Sequence, residues 1–239
     1  MKSNSDRLKN RHIFDQVSKA NSLLIEKKLV IQSFGNASRR FNQFCMIKGS
    51  GIDSAKVKSS DIVAVELNTG MYTGSINPST DTPTHIELYN SFNDIGGVVH
   101  SHSPYATAWA QAGQPIPCLG TTHADYWKGD IPVTRELTVD EINGKYELET
   151  GKVIVETLQE MKVDPLECPG IIVAHHGPFT WGKTVEEAVK NALRLEYIAR
   201  MAWITLNINP QTIEISPELH HRHFSRKHGP EAYYGQENS

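Results

Sequence analysis

Two short apolar runs, each preceded by glycine and followed by histidine, constrain the fold of this chain most strongly. They are Gly96-Gly-Val-Val-His-Ser-His102 and Gly170-Ile-Ile-Val-Ala-His-His-Gly177. Apolar runs of this length, rich in valine and isoleucine, are typical of buried strands. Side chains two residues apart on a strand point to the same face, so His100 and His102 can reach one metal ion. His176 follows the second run in a similar context.

The His-x-His spacing is weak evidence by itself, because the chain has 11 histidines and contains a second pair at His221 and His223. An isolated pair is more typical of core or edge histidines than of metal ligands. Its position favours a site here, since Ser103-Pro104 predicts a helix N-cap followed by proline at the first helical position. Ligand sites gather at such strand-to-helix junctions. Three imidazoles with an open coordination position predict a catalytic, zinc-type centre.

Composition predicts one globular domain spanning residues 1–239, with a loosely held tail after Tyr234. A net charge of −3 gives no indication of nucleic-acid binding. The three cysteines are odd in number and widely spaced, as expected of reduced thiols in the cytoplasm. Neither a signal peptide nor an 18-residue apolar run is found, so we expect no membrane partner and a cytoplasmic location.

Hydrophobic periodicity and helix-start signals predict alternating helices and strands. The predicted strands are 44–48, 62–67, 97–101 and 170–174, with a hairpin turn at 68–70. The predicted helices are 5–28, 82–92, 103–112, 150–162, one that begins at Thr184, and one from 216 to about 229. Mixed elements in this order predict an α/β fold in which helices cover the faces of a sheet.

Seven further motifs occur together. They are Phe34-Gly-Asn-Ala-Ser38, Ile47-Lys-Gly-Ser-Gly51, Pro78-Ser-Thr-Asp-Thr-Pro-Thr-His85, Val99-His-Ser-His-Ser103, Gly120-Thr-Thr-His-Ala-Asp-Tyr126, His176-Gly-Pro-Phe179 and Lys227-His-Gly-Pro-Glu-Ala-Tyr-Tyr-Gly-Gln236. From about residue 12 to residue 236, the chain thereby resembles the L-ribulose-5-phosphate 4-epimerases of the class II sugar-phosphate aldolase/epimerase superfamily. The resemblance implies a single-domain, three-layer α/β/α fold with a largely antiparallel central sheet.

The resemblance also implies one divalent metal per subunit, most often zinc, with manganese or cobalt as alternatives. His100, His102 and His176 would be its ligands, with Asp81 at or beside the metal. The family inverts C4 of L-ribulose 5-phosphate to give D-xylulose 5-phosphate by cleaving and re-forming the C3–C4 bond. A divalent cation can stabilise the enediolate left by this cleavage.

Inversion needs two acid/base groups, one for each face, and the family assigns them to Asp125 and Tyr234. Thr121, Glu147 and His223 would support them. Without the motifs around them, Asp125 would be a typical turn aspartate and Tyr234 a typical packing residue. In the family these residues come from a neighbouring subunit, so the resemblance implies a homotetramer with shared sites.

Turns rich in glycine and serine offer amides and hydroxyls to phosphate. By family motif, the residues that bind the phosphorylated ketopentose would be Gly35, Asn36, Lys48, Ser50, Gly51, Ser79 and Thr80. Two positions depart from the family pattern, since Gly49 stands where proline is common and Thr80 where serine is common. Thr80 keeps the hydroxyl that the pattern requires.

Two other functions remain open. A sugar-phosphate aldolase such as fuculose-phosphate aldolase would release its two fragments, but that family places a glutamate near the position of Asp81. A non-enzymatic module like the adducin head shares this fold and lacks the metal histidines, which this chain keeps. Arabinose and ascorbate catabolism both use the epimerisation, and the sequence does not distinguish them.

Overall fold

The computed structural model describes the backbone of residues 4–228 and of Ala232, with side chains described from His12 onward. Within this part the chain forms eight α-helices and one short 3-10 helix, Ser59–Asp61. The α-helices are α1 Asn4–Glu26, α2 Thr82–Ser91, α3 Pro104–Gln111, α4 Thr121–Ala124, α5 Val139–Asn143, α6 Tyr146–Met161, α7 Val185–Ile208 and α8 Pro217–His228. None of these described helices combines the length and apolar character needed to cross a membrane.

Six strands form one sheet in the order β3-β2-β1-β4-β6-β5. Their bounds are β1 Asn36–Phe41, β2 Phe44–Lys48, β3 Ile62–Glu66, β4 Gly97–His100, β5 Gly170–Val173 and β6 Gly177–Gly182. All neighbouring strands are antiparallel. This confirms the predicted single α/β domain with an antiparallel central sheet.

Helices cover both faces of the sheet, as the alternation of side chains along β4 shows. Val99 packs in a cluster with Leu24 of α1 and Val189 of α7. Val98, which points the other way, belongs to the main core with Leu88 of α2 and Ile154 of α6. Both valines are almost fully buried, so β4 is a central strand sandwiched between two helical layers.

The register of β4 determines which residues surround its last residue. His100 lies opposite Asn36 on β1 and opposite Phe179 on β6. Backbone pairing on both sides therefore fixes the start of the segment that leads to His102, and it places a residue of each flanking strand beside the imidazole of His100.

The predicted helix start is confirmed, since Ser103 occupies the N-cap position of α3 and Pro104 is its first residue. The hydroxyl of Ser103, however, makes no capping hydrogen bond. Instead, the carboxylate of Glu196 on α7 accepts from the amides of Tyr105 and Ala106 at 3.0 and 2.9 Å. A carboxylate satisfies these orphan amides better than a hydroxyl can, since it also complements the positive end of the helix dipole.

The hairpin predicted at residues 68–70 is much shorter than a two-stranded ribbon. After the turn, only a single bridge forms between Val65 and Tyr72, and no strand continues from it in the described chain. The side chain of Met71 stays exposed instead of packing against the sheet. Burial of apolar surface, which usually stabilises a longer strand, is therefore missing here.

Replacement of Gly97 by alanine is expected to destabilise the fold by about 2–3 kcal/mol or more. An added Cβ would lie 2.4 Å from the Cα of Val185 and 2.6 Å from the carbonyl oxygen of Thr184, so the backbone of α7 would have to move. Chemical denaturation measures the change. Gly120→Ala is the matched control, because nothing lies within 4 Å of its added Cβ. Equal stability of Gly97→Ala and wild type would contradict this close packing.

Candidate metal centre and substrate cavity

The described residues contain one group of three or more side chains able to hold a metal ion, formed by His100, His102 and His176. Their ligand atoms all lie within 4.8 Å of one another, and the Nε2 atoms of His100 and His102 are 3.1 Å apart. Tetrahedral zinc with Zn–N bonds of about 2.0–2.1 Å holds its nitrogens about 3.3 Å apart. The donor set and this spacing therefore fit a divalent metal.

His100 is held in the orientation that a metal ligand needs. Its Nδ1 lies 3.1 Å from the carbonyl oxygen of Pro178, which can only accept a hydrogen bond. The ring also stacks on Phe179, with centroids 4.2 Å apart. In the neutral imidazole, a proton on Nδ1 leaves the lone pair on Nε2, and that nitrogen faces His102.

His176 reaches the cluster through a tight turn between β5 and β6. His175 adopts a left-handed backbone conformation with φ 58°, which is uncommon for a residue with a side chain. Its exposed ring pairs with Glu136 at 3.0 Å, while His176 turns inward. His175 thus stays outside the cluster, as the sequence predicts, although a turn rather than a continuing strand separates the two rings.

Burial keeps the cluster in the form that binds metal. Burial lowers the pKa of His100 well below its ordinary value, and the nearby His176 and His102 lower it further. Burial also lowers the pKa values of His102 and His176, and the carboxylate of Asp81 partly opposes both shifts. Neutral imidazoles bind metal without first losing a proton.

The three histidines form part of the wall of a cavity of about 280 Å³. All seven residues predicted to bind substrate line the same cavity, together with Asp81. The lining consists of Ser33, Phe34, Gly35, Asn36, Lys48, Gly49, Ser50, Gly51, Ser79, Thr80, Asp81, His100, His102 and His176. A metal centre and a polar, glycine-rich wall therefore share one opening.

Gly35 allows two walls of this cavity to approach closely. Its φ is +82°, and an added Cβ would lie 2.6 Å from the carbonyl oxygen of His100 and 3.1 Å from the Cα of Ser101. Glycine is required here both for the left-handed conformation and for the missing side chain.

Asp81 lies at the N-cap of α2 and is held by Asn36. The Nδ2 of Asn36 donates to Oδ2 of Asp81 at 2.6 Å and to Oγ of Ser79 at 3.0 Å. The cluster of metal-ligating atoms within 4.8 Å does not include Asp81. The geometry places its carboxylate beside the histidines, in the same cavity, and direct ligation stays a prediction.

Lys48 ties together two loops that line the cavity. Its buried ammonium donates to the carbonyl oxygen of Ile52 at 2.7 Å and to that of Ser33 at 3.3 Å. Burial lowers the pKa of Lys48, while Asp53 and Asp81 raise it. Because these two bonds use two of the three ammonium donors, one donor remains for a substrate anion.

Asp125 does not line this cavity but forms an ion cluster with α8. His223 Nδ1 lies 3.0 Å from Oδ1, and Arg226 donates from Nε and Nη2 at 3.1 and 2.8 Å. The ammonium of Lys227 lies 3.4 Å from Oδ2. Burial alone would raise the pKa of Asp125, but the hydrogen bonds from Arg226 and His223 outweigh it and lower that pKa.

The other predicted residues lie elsewhere. Thr121 lines a separate cavity of about 250 Å³ beside α7, and the backbone oxygen of Glu147 accepts a hydrogen bond from Thr84 on α2. Neither lines the histidine cavity within this chain. Tyr234 lies outside the described residues.

Tyr146 is a contact of the cluster that the sequence pattern does not predict. Its hydroxyl lies 3.3 Å from Nδ1 of His176. Burial raises its pKa, and Asp81 and Glu147 raise it further. Phe34 is a second such residue, since its exposed ring lies 6.4 Å from the ring of His102 at the cavity opening.

Several solved structures share this fold at low sequence identity. An L-fuculose 1-phosphate aldolase is 23% identical, with a TM-score of 0.73 and coverage of 93% of this chain and 96% of that one. The L-fuculose 1-phosphate aldolase of Glaciozyma antarctica PI12 is 18% identical, with a TM-score of 0.73 and coverage of 94% and 85%. YgbL of Escherichia coli, described as a putative aldolase/epimerase/decarboxylase, is 19% identical, with a TM-score of 0.70 and coverage of 89% and 98%.

Residues 15–203 match the family model described as "Class II Aldolase and Adducin N-terminal domain". This match spans most of the chain, including the first strand of the sheet, the three histidines and most of α7. The antiparallel sheet between helical layers agrees with the solved structures at the level of fold. The chain belongs to the class II aldolase and adducin N-terminal domain family.

Proposed function

We propose that this protein is a metal-dependent 4-epimerase that interconverts L-ribulose 5-phosphate and D-xylulose 5-phosphate by cleaving and re-forming the C3–C4 bond. The observation that carries the proposal is one cavity lined both by the three histidines that could hold a metal ion and by the polar residues of the epimerase motifs. A non-enzymatic adducin-like module would have no use for three metal-ligating histidines.

His100, His102 and His176 would hold the metal, which we propose to be zinc, with manganese and cobalt as alternatives. When bound, a divalent cation supplies Lewis-acid stabilisation of negative charge on the substrate oxygens. Asp81, held by Asn36, would stand beside the metal and orient the substrate hydroxyls.

The phosphate would lie against the two polar loops that line the cavity. No described residue accepts a hydrogen bond from the amides of Gly51 and Thr80, so both N–H groups are available to an anion. Ser50, Ser79 and Thr80, which carry hydroxyl groups, line the same cavity, and the remaining donor of Lys48 would add positive charge. Backbone amides and one cation are a common way to bind phosphate.

Asp125 would act first as a base, with its carboxylate held in place by the hydrogen bonds to His223 and Arg226. It would take the proton of the C4 hydroxyl as the C3–C4 bond breaks. Tyr234 would return a proton to the oxygen after the aldehyde has rotated and been attacked on its other face. Each positioned proton-transfer group contributes about 10²–10⁴-fold to the rate.

A shared site would explain why Asp125 lies outside the histidine cavity of its own chain. We propose a homotetramer with cyclic symmetry, in which the cluster of Asp125 and His223 completes the cavity of a neighbouring subunit. Thr121, Glu147 and Tyr234 would belong to the same completing surface. The three buried cysteines, all free thiols, are in keeping with a reducing, cytoplasmic location.

A sugar-phosphate aldolase is the second candidate, because two of the structures that share the fold are L-fuculose 1-phosphate aldolases. Both reactions are retro-aldol cleavages, and a divalent metal would assist either one by stabilising negative charge on the carbonyl oxygen. Asp81 favours the epimerase for two reasons. Its side chain is shorter than the glutamate that the aldolases place near this position, and its carboxylate already accepts a hydrogen bond from Asn36.

Incubation of the zinc-loaded protein with L-ribulose 5-phosphate, followed by identification of every product by NMR, tests the proposal. We expect D-xylulose 5-phosphate at equilibrium with the substrate, with little free dihydroxyacetone or glycolaldehyde phosphate. Accumulation of the two fragments without D-xylulose 5-phosphate would favour the aldolase. The absence of any turnover by metal-loaded, assembled protein would contradict the epimerase.

A further inference from the structure

We infer that Tyr146 is a positioning residue for the metal ligand His176, holding its imidazole so that Nε2 faces His100 and His102. The phenolic oxygen lies 3.3 Å from Nδ1 of His176, and the two rings lie 6.0 Å apart with an interplanar angle of 33°. This role rests on the proposed metal centre and concerns a contact that no motif of the chain indicates.

His100 and His176 have hydrogen-bond partners of different kinds at their Nδ1 atoms. A backbone carbonyl, that of Pro178, fixes Nδ1 of His100 from within the sheet. His176 lies in the turn between two strands, and the described partner of its Nδ1 is the hydroxyl of Tyr146. When the phenolic oxygen accepts the Nδ1 proton of His176, the lone pair remains on Nε2, as it does in His100.

This turn needs an external support because its backbone is strained. His175 has φ 58°, a conformation that costs free energy for a residue with a side chain. The amide of His176 is held by the carbonyl oxygen of Val173 at 3.0 Å, but a backbone bond does not determine the rotation of the ring. The hydroxyl of Tyr146 supplies that restraint.

Tyr146 is itself fixed by the packing of α6 against α2. It is the first residue of α6, and its carbonyl oxygen accepts from Thr150 Oγ1 at 2.9 Å. One turn further on, Gly151 lets the helices meet, since an added Cβ would lie 3.2 Å from the Cα of Thr84. Because α2 begins directly after Asp81, one helix pair carries both the carboxylate and the phenol of the site.

The test is the Tyr146→Phe variant, which removes one hydroxyl and keeps the ring. We expect its affinity for Zn²⁺, measured by competition with a chromogenic chelator, to fall about 10–100-fold. The visible absorption spectrum of the Co²⁺-loaded variant should also differ from that of the wild type, because the spectrum reports the geometry of the ligands. Tyr197→Phe, a chemically identical change at an exposed position on α7, should alter neither property.

Four results separate the possible outcomes. An unchanged zinc affinity together with an unchanged cobalt spectrum in Tyr146→Phe would overturn the role of Tyr146. Equal unfolding temperatures of metal-free Tyr146→Phe and metal-free wild type would show that the loss of zinc affinity is local to the site. A lower unfolding temperature of Tyr146→Phe, together with an equal loss of zinc affinity in Tyr197→Phe, would overturn the role of Tyr146. Both measurements omit substrate, so they hold whether or not the protein is an epimerase. Undiminished zinc binding by His102→Asn would instead overturn the metal centre and the role of Tyr146 with it.

Discussion

His102→Asn is expected to lose both its metal and its activity. Of the three histidines, His102 is the most exposed, and its Nε2 lies only 3.1 Å from that of His100. Removal of one imidazole from an open three-nitrogen site leaves two protein ligands, too few for a stable catalytic centre. Elemental analysis of the purified protein should find about one zinc per wild-type subunit and almost none in the variant, whose turnover should fall below detection.

His175→Asn is the matched control for this loss. It changes a neighbouring histidine to the same residue, but the side chain at this position points outward, to Glu136. Asparagine tolerates the left-handed conformation found at this position better than most residues, so the turn should remain intact. Full activity of rigorously metal-free wild type, or full zinc occupancy in His102→Asn, would show that the three histidines are not the metal centre.

The elements that the sequence predicts well have strong local signals. Strand β2 has the predicted bounds of Phe44–Lys48, and α2 and α3 begin within a residue of their predicted starts, because proline stands near the start of each helix. Helix α6 begins four residues earlier than predicted. Gly151 interrupts its apolar stripe, and only the contact with α2 shows why a glycine belongs there.

Two central strands of the sheet have no recognisable strand pattern. Strand β1 contains two arginines, and its buried positions include the polar residues Asn36 and Ser38. Strand β6 contains proline and glycine, which are depleted in strands. Pairing with β4 on both sides stabilises these segments, and that tertiary contact is absent from any local pattern.

The candidate site was predictable where its residues follow one another along the chain. The i, i+2 spacing brings His100 and His102 together, even though β4 ends at His100. Tyr146 and His176 are 30 residues apart, and their contact depends on the packing of α6 against α2. The ion cluster around Asp125 likewise depends on the docking of α8 against α4, which no sequence motif describes.

Mixed assemblies of two inactive variants are expected to recover about a quarter of wild-type activity. The variants are His102→Asn, which lacks a metal ligand, and Asp125→Asn, which lacks the base. If each site takes its histidines from one subunit and Asp125 from the next, random association at equal amounts gives about one site in four with both intact. Co-expression of differently tagged chains, purification through both tags and assay per subunit would measure the recovery.

The control pairs two variants with defects on the same side of the site. His102→Asn and His176→Asn both damage the histidine cluster, so every site in their mixed assemblies takes a damaged cluster and should stay inactive. Each parent alone should also be inactive.

A shared site has a physical advantage, because a rigid partner surface can hold the proton-transfer groups in the narrow geometry that the reaction needs. If doubly tagged assemblies of His102→Asn and Asp125→Asn are as inactive as their parents, or if the wild type is an active monomer, each chain must instead complete its own site. Asp125 would then have to leave its ion pairs with α8 and reach the cavity of its own chain, or another residue would have to act as the base.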